Sequence, residues 1–237
     1  MNGTWRILKA VAAKKGAEVK SVFASRKSGS PVDKNLPLGL HLQGKVELDA
    51  TRFTLYGDRL LTTFPGREHI IAAYGRVPFG DAVLHRFYLQ GEDDAQSMLE
   101  ILVDSGGGLQ ECRLFRTLDE IMPEDSEEWG FWLAREDGSI GWSAFQTRDG
   151  VLFDRAWDDA AANRVMPFDL SETLYLDSAG EKVLTVNHQA MLYGRWADEE
   201  DEIAEYALLS AEDQGDEAFV HIQVGVDINP MGIKVLY

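Results

Sequence analysis

Twelve short stretches after Pro37 alternate apolar and polar side chains with a period of two, and turn residues separate each stretch from the next. A strand puts successive side chains on opposite faces, so this pattern suits half-buried β-strands and opposes helices. The predicted strands are Lys45–Leu48, Arg52–Tyr56, His69–Val77, Val83–Gln90, Met98–Val103 and Leu109–Arg116, then Trp142–Gln146, Val151–Asp154, Glu172–Leu176, Val183–Trp196, Glu202–Ser210 and Ala218–Val226. Between them stand Tyr56-Gly57-Asp58, Phe79-Gly80-Asp81, Ser105-Gly106-Gly107-Gly108, Asp149-Gly150 and Gln214-Gly215-Asp216, residues that turn a chain cheaply. One helix is expected over Ser126–Ala134, with Ser126 as its cap and Glu127 and Glu128 at its positive end. A short helical turn is expected after Asn229-Pro230. The expected class is α+β, predominantly antiparallel β.

An offset of 119 residues aligns Thr54-Leu55-Tyr56 with Thr173-Leu174-Tyr175, Asp58 with Asp177, His69 with His188, and Tyr74-Gly75-Arg76 with Tyr193-Gly194-Arg195. These are eight identities in 23 ungapped positions. Two readings are open: chance likeness between β-rich stretches, or two related sheet units, 45–116 and 170–228, packed together and joined by 117–169.

Charge divides the chain. Residues 1–34 hold eight Lys and Arg against two acidic residues, and residues 35–237 hold 15 against 38. Within the tail, Trp5, Leu8, Ala12, Gly16, Val19 and Phe23 fall on one side of a helix, with Lys9 off the stripe and Lys15 at its edge. The basic segment 1–34 is read as an amphipathic helix and linker preceding an acidic β-rich body, 35–237. Trp5, Leu8, Lys9, Lys15, Val19 and Phe23 are candidates for docking on a membrane or a partner. The same stripe also suits packing on the protein's own body.

The body's negative charge opposes nucleic acid, so no nucleic-acid partner is expected there. A single cysteine, Cys112, excludes an intrachain disulfide and suits a reducing compartment. No apolar run approaches 18 residues and no secretory signal is evident, so the expected location is cytoplasmic. The five histidines lack metal-ligand spacing, and the Gly-rich loop lacks the helix start and Lys of a phosphate loop. No metal, cofactor or catalytic residue is therefore assigned. His69, His188, Trp132 and Trp142 are candidates for lining a cleft between the sheet units, the alternative being that the tryptophans fill the seam between them.

Leu36-Pro37-Leu38-Gly39-Leu40, Val46-Glu47-Leu48-Asp49, Leu84-His85-Arg86-Phe87-Tyr88, His188-Gln189-Ala190-Met191-Leu192-Tyr193 and Gly225-Val226-Asp227-Ile228-Asn229-Pro230 together resemble the YjfK-like family of bacterial proteins of unknown function. The resemblance spans Leu36 to Pro230 and excludes the tail. It implies a cytoplasmic bacterial protein whose relatives are encoded beside phage-shock membrane-stress homologues and an ATP-grasp, glutathionylspermidine-synthase-like ligase. The expected role is a non-enzymatic interaction protein in a membrane-stress system. A phage-shock-type coiled-coil protein is the expected partner, with peripheral contact at the inner membrane through the tail. The alternatives are a small-molecule-binding or accessory protein for a peptide- or polyamine-modifying ATP-grasp-type enzyme, and an enzyme of unrecognised type.

Overall fold

The computed structural model describes residues 35–91, 96–158, 161–198, 203–213 and 218–236. The basic tail, with Trp5, Leu8, Lys9, Lys15, Val19 and Phe23, lies outside the described residues.

The strands are β1 (Lys45–Leu48), β2 (Glu68–Phe79), β3 (Ala82–Gln90), β4 (Ser97–Val103), β5 (Leu109–Ile121), β6 (Ala144–Gln146), β7 (Leu152–Arg155), β8 (Phe168–Tyr175), β9 (Val183–Trp196), β10 (Ala204–Asp213), β11 (Ala218–Asp227) and β12 (Ile233–Leu236). Two short α-helices accompany them, α1 (Thr51–Tyr56) and α2 (Ser126–Leu133).

Every strand pairing is antiparallel, and eight strands close a barrel in the order β2-β3-β4-β5-β11-β10-β9-β8 and back to β2. Two four-stranded meanders, β2–β5 and β8–β11, make this ring. They meet first strand to first strand through Tyr74↔Tyr175, and last to last through Phe115↔Gly225. Closure leaves the ring itself no free edge. β1 and β12 extend the sheet beside β2, and β6 and β7 extend it beside β9.

Alternation along each strand divides the apolar side chains between the barrel interior and its outer face. The interior holds Ala73, Val77, Leu84, Tyr88, Met98, Phe115, Leu174, Val186, Leu192 and Leu208. Two further clusters cover the outside. One joins Leu36, Leu40, Val46, Phe53, Phe87, Leu99 and Leu114 under the first residues of the described chain. The other joins Met191, Tyr193, Leu209, Val220 and Val224 under the segment carrying α2, β6 and β7, which adds Trp129, Trp132 and Phe145. Arg164 fastens this cover by donating to the backbone carbonyls of Ala134, Arg135, Gly138 and Ile140.

Four sequence expectations change. Residues 52–56 form α1 rather than a strand. The Asp49 carboxylate accepts from Thr51 N at 2.9 Å and Thr51 Oγ1 at 2.7 Å, a local turn that starts the helix and buries Phe53. The cap of α2 is Asp125, not Ser126, because its Oδ1 accepts from both Glu127 N and Glu128 N at 2.9 Å. The helical turn expected after Asn229 forms over Pro230–Gly232, but it leads into a further strand, β12, that is not among the predicted strands.

The 119-residue repeat also fails at its first block, since Thr54–Tyr56 is helical and Thr173–Tyr175 is strand. The offset lays β2 on β9, whereas the meanders correspond with β2 on β8. Two separate sheet units are replaced by one continuous barrel wall.

Candidate functional site

Charged residues sit on the inward parity of several barrel strands, flanked two residues away by apolar ones: Leu84-Arg86-Tyr88, Met98-Glu100-Leu102, Leu170-Glu172-Leu174. Directly paired residues project to the same face of a sheet, so the register carries these charges round the wall. Asp227 on β11 pairs with Arg113 on β5, Arg113 with Glu100 on β4, Glu100 with Arg86 on β3, and Arg86 with Gly75 on β2. On the other meander His188 of β9 pairs with Glu212 of β10, and Ser210 with His221 of β11. Glu172 of β8 closes the gap between the two series.

The contacts make two alternating series, joined between Arg113 and Glu100 by strand register and charge rather than by a contact. The Arg113 guanidinium reaches Glu111 at 2.6 Å and Asp227 at 3.4 Å, and lies 4.3 Å from the centre of the Tyr206 ring. Arg86 Nε donates to Glu100 Oε2 at 2.9 Å, and its Nη1 donates to Glu172 Oε2 at 3.2 Å. Glu172 also accepts from Tyr88 OH at 2.7 Å and lies 2.9 Å from His188 Nε2. His188 Nδ1 stands 3.1 Å from Ser210 Oγ and 3.2 Å from Glu212 Oε1, and His221 Nε2 lies 3.5 Å from that same oxygen. The belt thus starts and ends on β11, at Asp227 and at His221, after a full turn of the barrel.

Only one end meets solvent. The Glu111 and Asp227 side chains are 39% and 37% exposed, whereas those of Arg86, Glu100, Glu172, His188, Glu212 and His221 are all 5% exposed or less. Burial of a single charge costs several kcal/mol, so each must be held by its neighbours. Burial alone would lower the pKa of His188, but the Glu212 and Glu172 carboxylates outweigh it and push the value up to about 9. Burial would raise Glu172 and Glu212; hydrogen bonding from His188 and the Arg86 charge hold Glu172 below the usual range, and His221 with His188 holds Glu212 well below it.

Ser210, His188 and Glu172 have the residue types of a hydrolytic triad, but not its chemistry. A triad histidine must be neutral, with one ring nitrogen free to take the serine proton. His188 lies between carboxylates on both nitrogens and is held protonated at neutral pH. It therefore has no site left to accept a proton, and Ser210 is 4% exposed.

Of the sequence-derived cleft residues, only His188 joins this belt. His69 is buried at the start of β2, with Nε2 3.0 Å from Gly66 O. Trp132 packs into the outer cluster, and Trp142, 39% exposed, bridges to Arg164. These four residues do not make one cleft. Trp132 instead lines an open groove of about 400 Å³ with Leu118, Ile121, Phe145 and Ile222 as its apolar floor and Asp119, Arg148 and Asp149 at its rim. The belt residues Arg86, Glu100, Arg113, Glu172 and Glu212 are not among the sequence-derived candidates. Their signal is charge on the apolar parity of a strand. Among the described residues no group of three or more His, Cys, Asp or Glu is arranged to hold a metal ion, and no helix is long and apolar enough to cross a membrane.

A family described as "Protein of unknown function (DUF2491)" matches residues 18–234, a span that begins inside the basic tail. The curated Escherichia coli K12 protein "Uncharacterized protein YjfK" is 35% identical over 71 residues, 30% of this chain. That match spans 32% of the length of the curated relative. No solved structure matches.

Proposed function

The chain belongs to the DUF2491 family, the YjfK-like proteins of unknown function, and from that premise we propose that it is a non-enzymatic interaction protein whose barrel is a rigid support for surface recognition. One observation carries this reading. The clustered ionisable groups with perturbed protonation are sealed in the barrel wall and neutralise one another, Arg86, Arg113 and His188 against Glu100, Glu172 and Glu212. Such a cluster specifies packing, and its buried members present no acid, base or nucleophile to a substrate. Recognition then falls to the acidic exterior and to the basic tail, whose apolar stripe through Trp5, Leu8, Val19 and Phe23 suits a membrane surface or a coiled-coil partner. A membrane-stress setting at the cytoplasmic face of the inner membrane fits both features.

The groove beside Trp132 favours a second reading, a small-molecule-binding or accessory protein for a peptide- or polyamine-modifying ATP-grasp-type enzyme, because apolar floors with a few polar groups are where such ligands seat. Crosslinking and affinity purification from the native bacterium, with the full chain and with a chain lacking residues 1–34, tests the first reading. A coiled-coil or membrane-associated partner lost with the tail supports it. A ligase retained by both chains and lost on Trp132→Ala sinks it in favour of the second.

A further inference from the structure

Two arginine–glutamate pairs in this fold are built alike and end differently. Arg195 and Glu205 are direct cross-strand partners, as are Arg86 and Glu100. In the first pair Arg195 Nε and Nη2 both donate to Glu205 Oε2, at 2.9 and 2.7 Å. The other carboxylate oxygen, Oε1, accepts from Thr62 N and Thr62 Oγ1, each at 2.7 Å. Protein groups therefore occupy both oxygens and both prongs of the guanidinium fork.

In the second pair Arg86 Nε donates to Glu100 Oε2 at 2.9 Å, but Arg86 Nη2 and Glu100 Oε1 have no hydrogen-bond partner among the described residues. The guanidinium is planar, and its Nε–H and Nη2–H project side by side toward the same carboxylate. The two unpaired atoms are thus the second prong and the second oxygen of one incomplete fork. Their side chains are 3% and 2% exposed, so bulk solvent does not satisfy them. Leaving a buried donor and a charged acceptor unsatisfied is strongly unfavourable.

We propose that a single internal water molecule completes this fork, accepting from Arg86 Nη2 and donating to Glu100 Oε1, as a built-in member of the charge belt. The chemistry selects water over an ion. The fork offers one donor and one acceptor from a pair that already neutralises itself, so a cation would oppose Arg86 and an anion would oppose Glu100; Arg113 Nε, on the cross-strand partner of Glu100, is a further buried donor without a hydrogen bond among the described residues. A small neutral molecule that both gives and takes a hydrogen bond fits both atoms.

A high-resolution crystal structure of the wild-type protein tests this without any substitution. A density peak within about 2.7–3.2 Å of both Arg86 Nη2 and Glu100 Oε1 is the expected result. A closed two-pronged fork, with Nη2 directly on Oε1 and no peak between them, overturns it. In solution, oxygen-17 relaxation dispersion counts long-lived internal waters. The Arg86→Met/Glu100→Met double variant should lose one relative to wild type, and an equal count in both folded proteins would overturn the proposal.

Discussion

A Cβ placed on Gly75 would lie 1.7 Å from Oε1 of Glu172. Gly75 is the barrel position opposite Arg86 on β2, and its missing side chain is the space that the Glu172 carboxylate fills. A methyl group there displaces the acceptor shared by Tyr88, Arg86 and His188. Gly75→Ala is expected to destabilise the fold by about 3 kcal/mol, combining overpacking with a disturbed buried ion pair. Urea unfolding with an unchanged denaturant slope checks this. A shift below about 0.5 kcal/mol, the range of ordinary surface substitutions, would show that Glu172 has another place to go.

Removing that acceptor outright is expected to be worse than crowding it. Glu172→Ala leaves Arg86 and His188 buried with one carboxylate fewer between them, and breaking a buried pair typically costs about 3–5 kcal/mol. Glu172→Gln should fall between Glu172→Ala and wild type, because the amide oxygen can still accept from Arg86 and His188 where Oε2 stood while its NH2 donates to the Tyr88 hydroxyl, but the charge is lost. Chemical unfolding of the three proteins side by side gives the order.

The belt also sets a pH window. His188 has a folded pKa raised to about 9 from 6.5, so its contribution is complete below about 6.5 and is lost as pH rises through 9. That contribution amounts to roughly 3 kcal/mol by linkage. Glu172 and Glu212 have lowered values, so theirs is complete above about 4.5 and is lost as pH falls through the depressed folded values. Stability from these three groups is therefore greatest between about pH 4.5 and 6.5. Thermal unfolding from pH 4 to 10 should show the fall on the alkaline side, and His188→Gln should flatten it.

Cys112 should be inert in the folded protein. It is 4% exposed, and burial, aided by the Asp227 charge, pushes its thiol up to about 12. A thiolate is the reactive form, so labelling by a disulfide reagent at neutral pH should be at least 100-fold slower than in denaturant, on the order of the opening equilibrium. Rapid labelling of native protein would mean that the wall around β5 opens locally.

Deleting residues 1–34 should leave cooperative unfolding intact, because the outer cluster is already closed by Leu36, Leu40 and Leu42. The same deletion should abolish binding to anionic vesicles or to the native partner. Loss of cooperative unfolding would instead place Trp5–Phe23 in the core.

Local pattern carried much of this fold. β1 and β9 have the bounds that alternation predicts, Lys45–Leu48 and Val183–Trp196, and most other strands differ by a few residues at their ends. Alternation works because the side-chain period of a strand is set by its own backbone. It failed at residues 52–56, where five residues are too few to separate the two periods and Asp49 decides through a turn.

The sequence by itself determined which residues share a face, and so placed Arg86 with Leu84 and Tyr88, and Glu172 with Leu170 and Leu174. Only the tertiary structure decided which strands became neighbours. Tyr74↔Tyr175 and Phe115↔Gly225 close the barrel between residues about a hundred positions apart. Strand pairing has no local signature at that separation, because any alternating strand offers the same backbone donors and acceptors. Closure turned scattered charges of like parity inward and brought them within hydrogen-bond reach. His188 acquired its two carboxylates from strands on either side of its own, Glu172 on β8 and Glu212 on β10. A side chain that reads in isolation as one more strand histidine is therefore a charged link in a buried belt.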